Sequence, residues 1–322
     1  MIKNEILERL MPITEEELTI LNGSDTIDST IYTDNTDLII SSKKLLLNGK
    51  LISVRKHTRF IHFPEHTHDF VEAVYMCKGQ TTHIINGSSI TLREGELLFL
   101  GQNARQEILP AAENDIAVNF IIQPEFFDKP LEMLGAEETP IKNFIVDSLF
   151  NGENRGYLHF KVADVLPVQN LIENLIWTLI NNLTNKRNIN QITMGLLFMQ
   201  LLNHTDKLAY HTRKEAAMLD IFRYIEENYK NGSLNDAAKR LHYDFFWLSH
   251  EIKNQTGKTY TELLQEKRLS QAAYLLKNTR LSVDEISKAV GYENKSYFHR
   301  IFTSRYQLSP KKYRDSVIYT SE

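Results

Sequence analysis

The chain has 322 residues, of which 42% are hydrophobic and 24% charged, and its net charge is -4. That is an ordinary globular composition for about two domains, and it argues against a uniformly basic nucleic-acid binder. The single cysteine, Cys77, excludes an internal disulfide, and no apolar run reaches the ~20 residues that would span a bilayer.

Met1–Leu18 is charged and lacks the apolar segment of a signal peptide, and no fold is assigned to residues 1–50. The lone thiol and the missing leader fit a reducing cytoplasm. Residues 51–125 are rich in β-branched and aromatic residues. Asn86-Gly87 between Ile84–Ile85 and Ile90–Leu92 predicts a tight hairpin, and Leu97–Leu100 reads as a short strand. Cys77 ends the apolar run Val71–Cys77 and reads as a small buried hydrophobe. Many short strands at close spacing predict a β-sandwich or small barrel.

Residues 126–212 are predicted to be mostly helical. Leu171, Leu175, Ile176, Leu179, Ile180 and Leu183 fall at helical spacing, and Ile192–Leu202 follows a polar break at Asn185–Asn190. Such apolar stripes must be covered, either by the strand region or by a second copy of the chain. A polar stretch around 206–214 marks the start of a helical C-terminal part, residues 213–315, ahead of a short tail, 316–322. Residues 215–314 hold 17 basic and 12 acidic residues, and 253–314 hold 13 and 5. Basic charge therefore gathers where it can meet phosphate.

Two similar units lie in that part. In the first, Ser233 with Asp236 predicts a capping box, His242-Tyr243 a turn, and Asp244 the cap of a helix from Phe245 to Asn254. In the second, Ser282 with Glu285 repeats the box, Gly291 ends the helix, and Asn294 caps one carrying Phe298, Ile301 and Phe302 inward. Ser309-Pro310 opens a last short helix. Tyr260–Asn278 between the units is one uninterrupted helical pattern, about 28 Å long at ~1.5 Å per residue. Major-groove faces recur every ~34 Å along one side of a duplex, so such a rod can hold two helix-turn-helix units in adjacent grooves. The outward positions are Phe246, Ser249 and His250 in the first unit and Lys295, Ser296, His299 and Arg300 in the second. Lys and Arg read guanine or grip phosphate, Ser and His donate to either, and an exposed Phe packs on a thymine methyl.

Residues 218–314 resemble the AraC/XylS family of bacterial regulators. The resemblance is carried by Leu281-Ser-Val-Asp-Glu-Ile-Ser-Lys-Ala-Val-Gly-Tyr, by Ser296-Tyr-Phe-His-Arg-Ile-Phe and by Ser309-Pro-Lys-Lys-Tyr-Arg314, with Leu248-Ser249 and Thr256-Gly257-Lys258 upstream. It implies two helix-turn-helix units joined by a long helix, with base contacts at the outward positions. The sequence departs from the family at Gln307, where glycine is usual, at His250 and Glu251, usually Arg and an apolar residue, and at Asp244, usually Ser. The last three point to a first unit that positions the protein on phosphate more than it reads bases.

His66-Thr-His68-Asp-Phe-Val-Glu72, ahead of Gly79, has the spacing H-x-H-x3-E-x6-G, which resembles the first cupin motif. On an alternating strand His66 and His68 share a face, and with Glu72 they form a donor set able to hold a divalent metal. Gly95-Glu-Leu-Leu-Phe-Leu is similar to the second cupin motif, which ends in a histidine ligand. This sequence instead reads Gly101-Gln-Asn-Ala-Arg-Gln106, which disfavours metal catalysis. By resemblance His66, His68, Glu72 and Gln106 line an effector pocket, or else they bond one another and hold the barrel mouth. His57, His62, His83 and His159 show no ligand spacing and read as structural or solvated.

The expected fold is α+β: a cupin-like β-barrel, a helical linker and dimerisation segment, and an all-α part with two helix-turn-helix units. The expected function is a cytoplasmic transcription regulator that binds promoter DNA as a homodimer. A small-molecule effector controls it, RNA polymerase is a further partner, and no cofactor, metal or membrane takes part. Two other readings stay open: a cupin enzyme with a DNA anchor, and a regulator whose barrel only dimerises.

Overall fold

A computed structural model describes residues 4–34, 37–46, 49–134, 142, 143, 146, 149, 156–181, 186–209 and 213–318. They form two compact units, one built on residues 4–134 and 156–209, the other on 213–318.

The first unit is a double-sheet structure backed by helices. One sheet has the order β1 (Ile39–Ile40), β3 (Phe63–His68), β8 (Gln106–Ile108), β5 (Gln80–Ile85), β6 (Ser88–Arg93). The other runs β11 (Leu208–Ala209), β10 (Tyr157–Phe160), β7 (Leu97–Leu100), β4 (Val71–Lys78), β9 (Ile116–Ile122), β2 (Ile52–Lys56). Val74, Met76, Leu98 and Leu100 of the second sheet pack on Ile85, Ile90 and Leu92 of the first, all fully buried. This is the jelly-roll form of the expected cupin-like fold. The sheets also take strands from outside residues 51–125, namely β1, β10 and β11. These are two to four residues long, too short for a periodic signal.

Asn86 and Gly87 have φ of 51° and 82° and join β5 to β6 with Ile85 opposite Ser88. Both positions need left-handed backbone, which Asn and Gly supply most cheaply. Gly79 shows a second such need: a Cβ there would stand 2.2 Å from Asp115 Oδ1. The central strand β4 is buried on both faces along nearly its whole length. Its alternation sends Glu72, Val74 and Met76 between the sheets and Tyr75 toward the helix layer.

That layer holds α4 (Asp128–Met133), α5 (Leu166–Ile180) and α6 (Lys186–Asn203). Phe198 of α6 meets Phe99 of β7 at a ring separation of 5.4 Å. Gln169 of α5 accepts from the Tyr75 hydroxyl at 2.5 Å and donates to the Gly95 and Val162 carbonyls at 3.0 and 2.9 Å. The polar break expected at Asn185–Asn190 is not a break beyond residue 185, because α6 starts at Lys186 and Asn190 is a buried helical residue. A first helical turn tolerates polar side chains, since its amides have no helical acceptor. Leu183 lies outside the described residues.

Short helices precede the sheets: α1 (Asn4–Leu10), α2 (Glu15–Leu21) and α3 (Ser42–Leu45). Thr14 and Glu17 form a capping box at α2. The Glu17 carboxylate is fully buried and accepts from Arg59 Nε at 2.7 Å and Lys56 Nζ at 3.0 Å.

The second unit is all helix: α7 (Arg213–Asn228), α8 (Leu234–Arg240), α9 (Phe245–Thr256), α10 (Tyr260–Asn278), α11 (Val283–Ala289), α12 (Lys295–Tyr306) and α13 (Pro310–Ile318). Its C-terminal core joins Leu269, Ala272, Ala273 and Leu276 of α10 to Ile286, Val290, Phe298 and Phe302.

Candidate nucleic-acid interface and effector cavity

Each recognition helix begins at a side-chain cap. Asp244 Oδ1 accepts from the Trp247 amide at 2.8 Å to start α9, and Asn294 Oδ1 accepts from the Tyr297 amide at 2.9 Å to start α12. The preceding helices start the same way. Ser282 and Glu285 satisfy each other's amides in a full capping box. At Ser233 only half of the box forms: Oγ accepts from the Asp236 amide, but Asp236 bonds the hydroxyl and not the backbone N–H. Aspartate is one methylene shorter than the Glu of the usual box.

The spacer α10 is an unbroken 19-residue helix with its own Thr259–Glu262 capping box. Two arginines bind it to its neighbours. Arg268 donates to the Tyr229 and Lys230 carbonyls just past the end of α7, at 2.6 and 2.7 Å. Arg314 of α13 donates to the Leu276 and Leu281 carbonyls at 3.2 and 2.5 Å. Gly291, in the turn after α11, has φ of 91°, and a Cβ there would lie 2.3 Å from the Lys230 carbonyl. The second turn therefore packs against the end of α7 at a distance only glycine allows.

The outward side chains face solvent. Phe246 is 79% exposed, Ser249, His250, Lys295, Ser296 and Arg300 are exposed, and His299 is half-buried. Phe245 is 39% exposed, with its ring edge-on to Phe246. Trp247 stacks on Tyr243, which settles how three consecutive aromatics share one turn. Partners that the sequence reading did not name hold two of these groups. Asn254 Nδ2 lies 3.0 Å from His250 Nδ1, and the Arg300 guanidinium sits 5.4 Å over the Tyr297 ring. Both pairs were open to a spacing argument, at i, i+4 and i, i+3 on a helix. The family departure at Glu251 has a local account, because its buried carboxylate accepts from Gln255 Nε2 at 2.7 Å and lies 3.5 Å from Lys214 Nζ.

Between the two sheets of the first unit lies a cavity of about 50 Å³ open to water centres, room for roughly three or four waters. His66, His68 and Glu72 line it, together with Tyr32, Phe63, Ile108 and Ile121. Gln106 does not. It is fully buried, sits across from His66 in the β3–β8 ladder, and directs its amide nitrogen to His83 Nδ1 at 2.9 Å. His57 and Asn119, which no spacing in the sequence singles out, are on the wall. They come from β9 and the residue after β2, and only the strand pairing brings them beside Glu72. Burial, with the neighbouring His68 adding to it, lowers His66 to about 4; burial lowers His68 to about 3. Burial also lowers His57 and raises the Glu72 carboxyl. Among the described residues no three His, Cys, Asp or Glu side chains are placed to hold a metal ion. No helix among them is long and apolar enough to cross a membrane.

Residues 50–202 match the model of the AraC-like ligand binding domain, and residues 237–316 match a helix-turn-helix domain model. The HTH-type transcriptional activator RhaR of Escherichia coli O139:H28 is 25% identical over 258 residues, covering 78% of this chain and 87% of its own. The activator RhaS of Mannheimia succiniciproducens is 27% identical over 260 residues, covering 78% and 89%. Apo ToxT from Vibrio cholerae strain SCE256 aligns over 83% of this chain and 98% of its own, at 17% identity and a TM-score of 0.39.

Two capped recognition helices on one stiff spacer, behind a unit that matches a ligand-binding domain, define a DNA-binding transcriptional regulator. The chain belongs to the AraC/XylS family.

Proposed function

We propose that the chain reads double-stranded promoter DNA with Phe246, Ser249 and His250 of α9 and Lys295, Ser296, His299 and Arg300 of α12, and that it works in the cytoplasm as a homodimer. The observation that carries this is the exposure of both reading heads at the ends of an unbroken 19-residue helix. In the second head Arg300 and Lys295 supply guanine or phosphate contacts, and in the first Phe246 supplies an apolar contact to a thymine methyl. The dimer surface is α6, where Ile189, Ile192 and Leu196 form an apolar stripe about two-fifths exposed. A small molecule in the cavity favours one arrangement of the reading heads, which requires unequal affinity for the two arrangements. RNA polymerase is the further partner in this reading, which is supported by relatives named transcriptional activators.

The test is DNA affinity against salt and sequence. If four phosphates are neutralised, affinity falls about a hundredfold between about 50 and 200 mM salt. Arg300→Ala costs about 1–3 kcal/mol on the specific site alone if the side chain reads a base. A salt-independent interaction would overturn the proposal, and an equal loss on all sequences would reassign Arg300 to phosphate.

A further inference from the structure

Two buried acceptors at the cavity, His57 Nε2 and Glu72 Oε2, have no donor, and the neutral His68 imidazole, whose Nδ1 is also without a partner, brings a single N–H. Asn119 Nδ2 donates to Glu72 Oε1 at 2.7 Å, so Asn119 presents its oxygen to His57 Nδ1 at 3.0 Å. That oxygen accepts only, so His57 carries its proton on Nδ1 and its Nε2 is a bare lone pair. This Nε2 is buried with no partner, and so is Glu72 Oε2. His66 Nδ1 lies 2.8 Å from the Pro64 carbonyl, which fixes the same tautomer, and Gln106 is a further hydrogen-bond partner of this imidazole. The cations on the wall are already committed, Arg55 to Glu16 and Lys56 to Glu17. His68 Nε2 is 3.7 Å from Glu72 Oε2, too far for a hydrogen bond.

A buried acceptor without a donor costs roughly 1–3 kcal/mol, more for a charged one, so this wall favours an occupant that brings donors. A hydroxyl brings one proton and so satisfies one of these acceptors at a time. An ammonium group brings three donors, no acceptor, and a positive charge that favours the ionised form of Glu72 against the burial that opposes it. The space, with room for roughly three or four waters, accommodates a head group of that size. We infer that the cavity takes a small primary ammonium ion, held by Glu72 Oε2 and His57 Nε2, with its alkyl part against Phe63, Ile108 and Ile121. This rests on the reading of the cavity as an effector site and names the chemical class of the effector.

The experiment is calorimetry and thermal melting of the full chain with ethylammonium chloride, with ethanol as its neutral isostere and ethylene glycol as a minimal polyol. Ethylammonium is expected to bind once per chain and raise Tm, and the two neutral probes to do neither at equal concentration. Glu72→Gln, checked for fold by circular dichroism, should weaken ethylammonium binding at least tenfold. If that variant does not fold, the comparison of isosteres on the wild-type chain still decides. Binding of ethylene glycol as tight as that of ethylammonium would overturn the ammonium class and leave the effector reading standing. Binding of manganese or zinc in place of the amine would also overturn it. Silence from these probes and from a broad metabolite panel would overturn both readings.

Discussion

Gln307 occupies a left-handed backbone position, φ 57°, at the end of α12. A residue with a Cβ pays about 1–2 kcal/mol there that glycine does not. The Gln307 side chain recovers part of it by donating to the Ser304 carbonyl at 2.8 Å. Gln307→Gly is therefore expected to raise the unfolding free energy by about 0.5–1 kcal/mol, measured by urea denaturation. An unchanged or lowered midpoint would show that the amide bond compensates fully. At this scale the reading heads were legible because helical period alone sorts outward from inward, as Phe298 and Phe302 against Lys295 and Arg300 show. The cavity wall was only half legible. His66 and His68 advertise themselves by alternation on one strand, whereas His57 and Asn119 reach Glu72 through pairing between strands distant in sequence.

At the scale of single elements, α2 depends on one buried carboxylate. Burial alone would raise the Glu17 pKa, but hydrogen bonds from Arg59, the Thr14 amide and Lys56 overcome it and hold the group at about 2. The folded value lies below the ordinary 4.5. This contribution is therefore complete above pH 4.5 and is lost as pH falls toward 2. Hydrogen exchange of α2 should accelerate through that window, and Glu17→Gln should shift the loss to neutral pH. Protection of α2 that is constant through the window would contradict this. Helix α5 is anchored by Gln169, whose three buried partners are Tyr75, Gly95 and Val162. Gln169→Leu orphans the Tyr75 hydroxyl and the Gly95 carbonyl, while the Val162 carbonyl keeps the Val165 amide at 2.9 Å, and is expected to cost about 2–4 kcal/mol, read as a fall in Tm. A loss under 1 kcal/mol would mean that water replaces the amide.

For the whole chain, the two-part architecture was readable from texture: short β-branched runs first, capped amphipathic helices last. The reach of the sheets was not. β1 and β10 are recruited by edges that β3 and β7 leave open, and β11 by the edge of β10, a property of the assembled sheet and not of the short segments themselves. The proposed dimer makes its own prediction. Ile192→Asp places a charge in the middle of the α6 stripe, and sedimentation should show monomer at concentrations where the parent chain is paired. An unchanged sedimentation coefficient would move the dimer contact elsewhere.

Strand β4 serves as a party wall. On one side it carries Glu72 into the cavity, and three residues on, about 10 Å along the strand, Tyr75 is pinned to the helix layer through Gln169. An occupant that draws Glu72 toward itself pulls on the same backbone that fixes the register of α5. If the cavity fills as proposed, the helix pair is the element placed to respond without touching the tenant, because one strand carries both Glu72 and Tyr75.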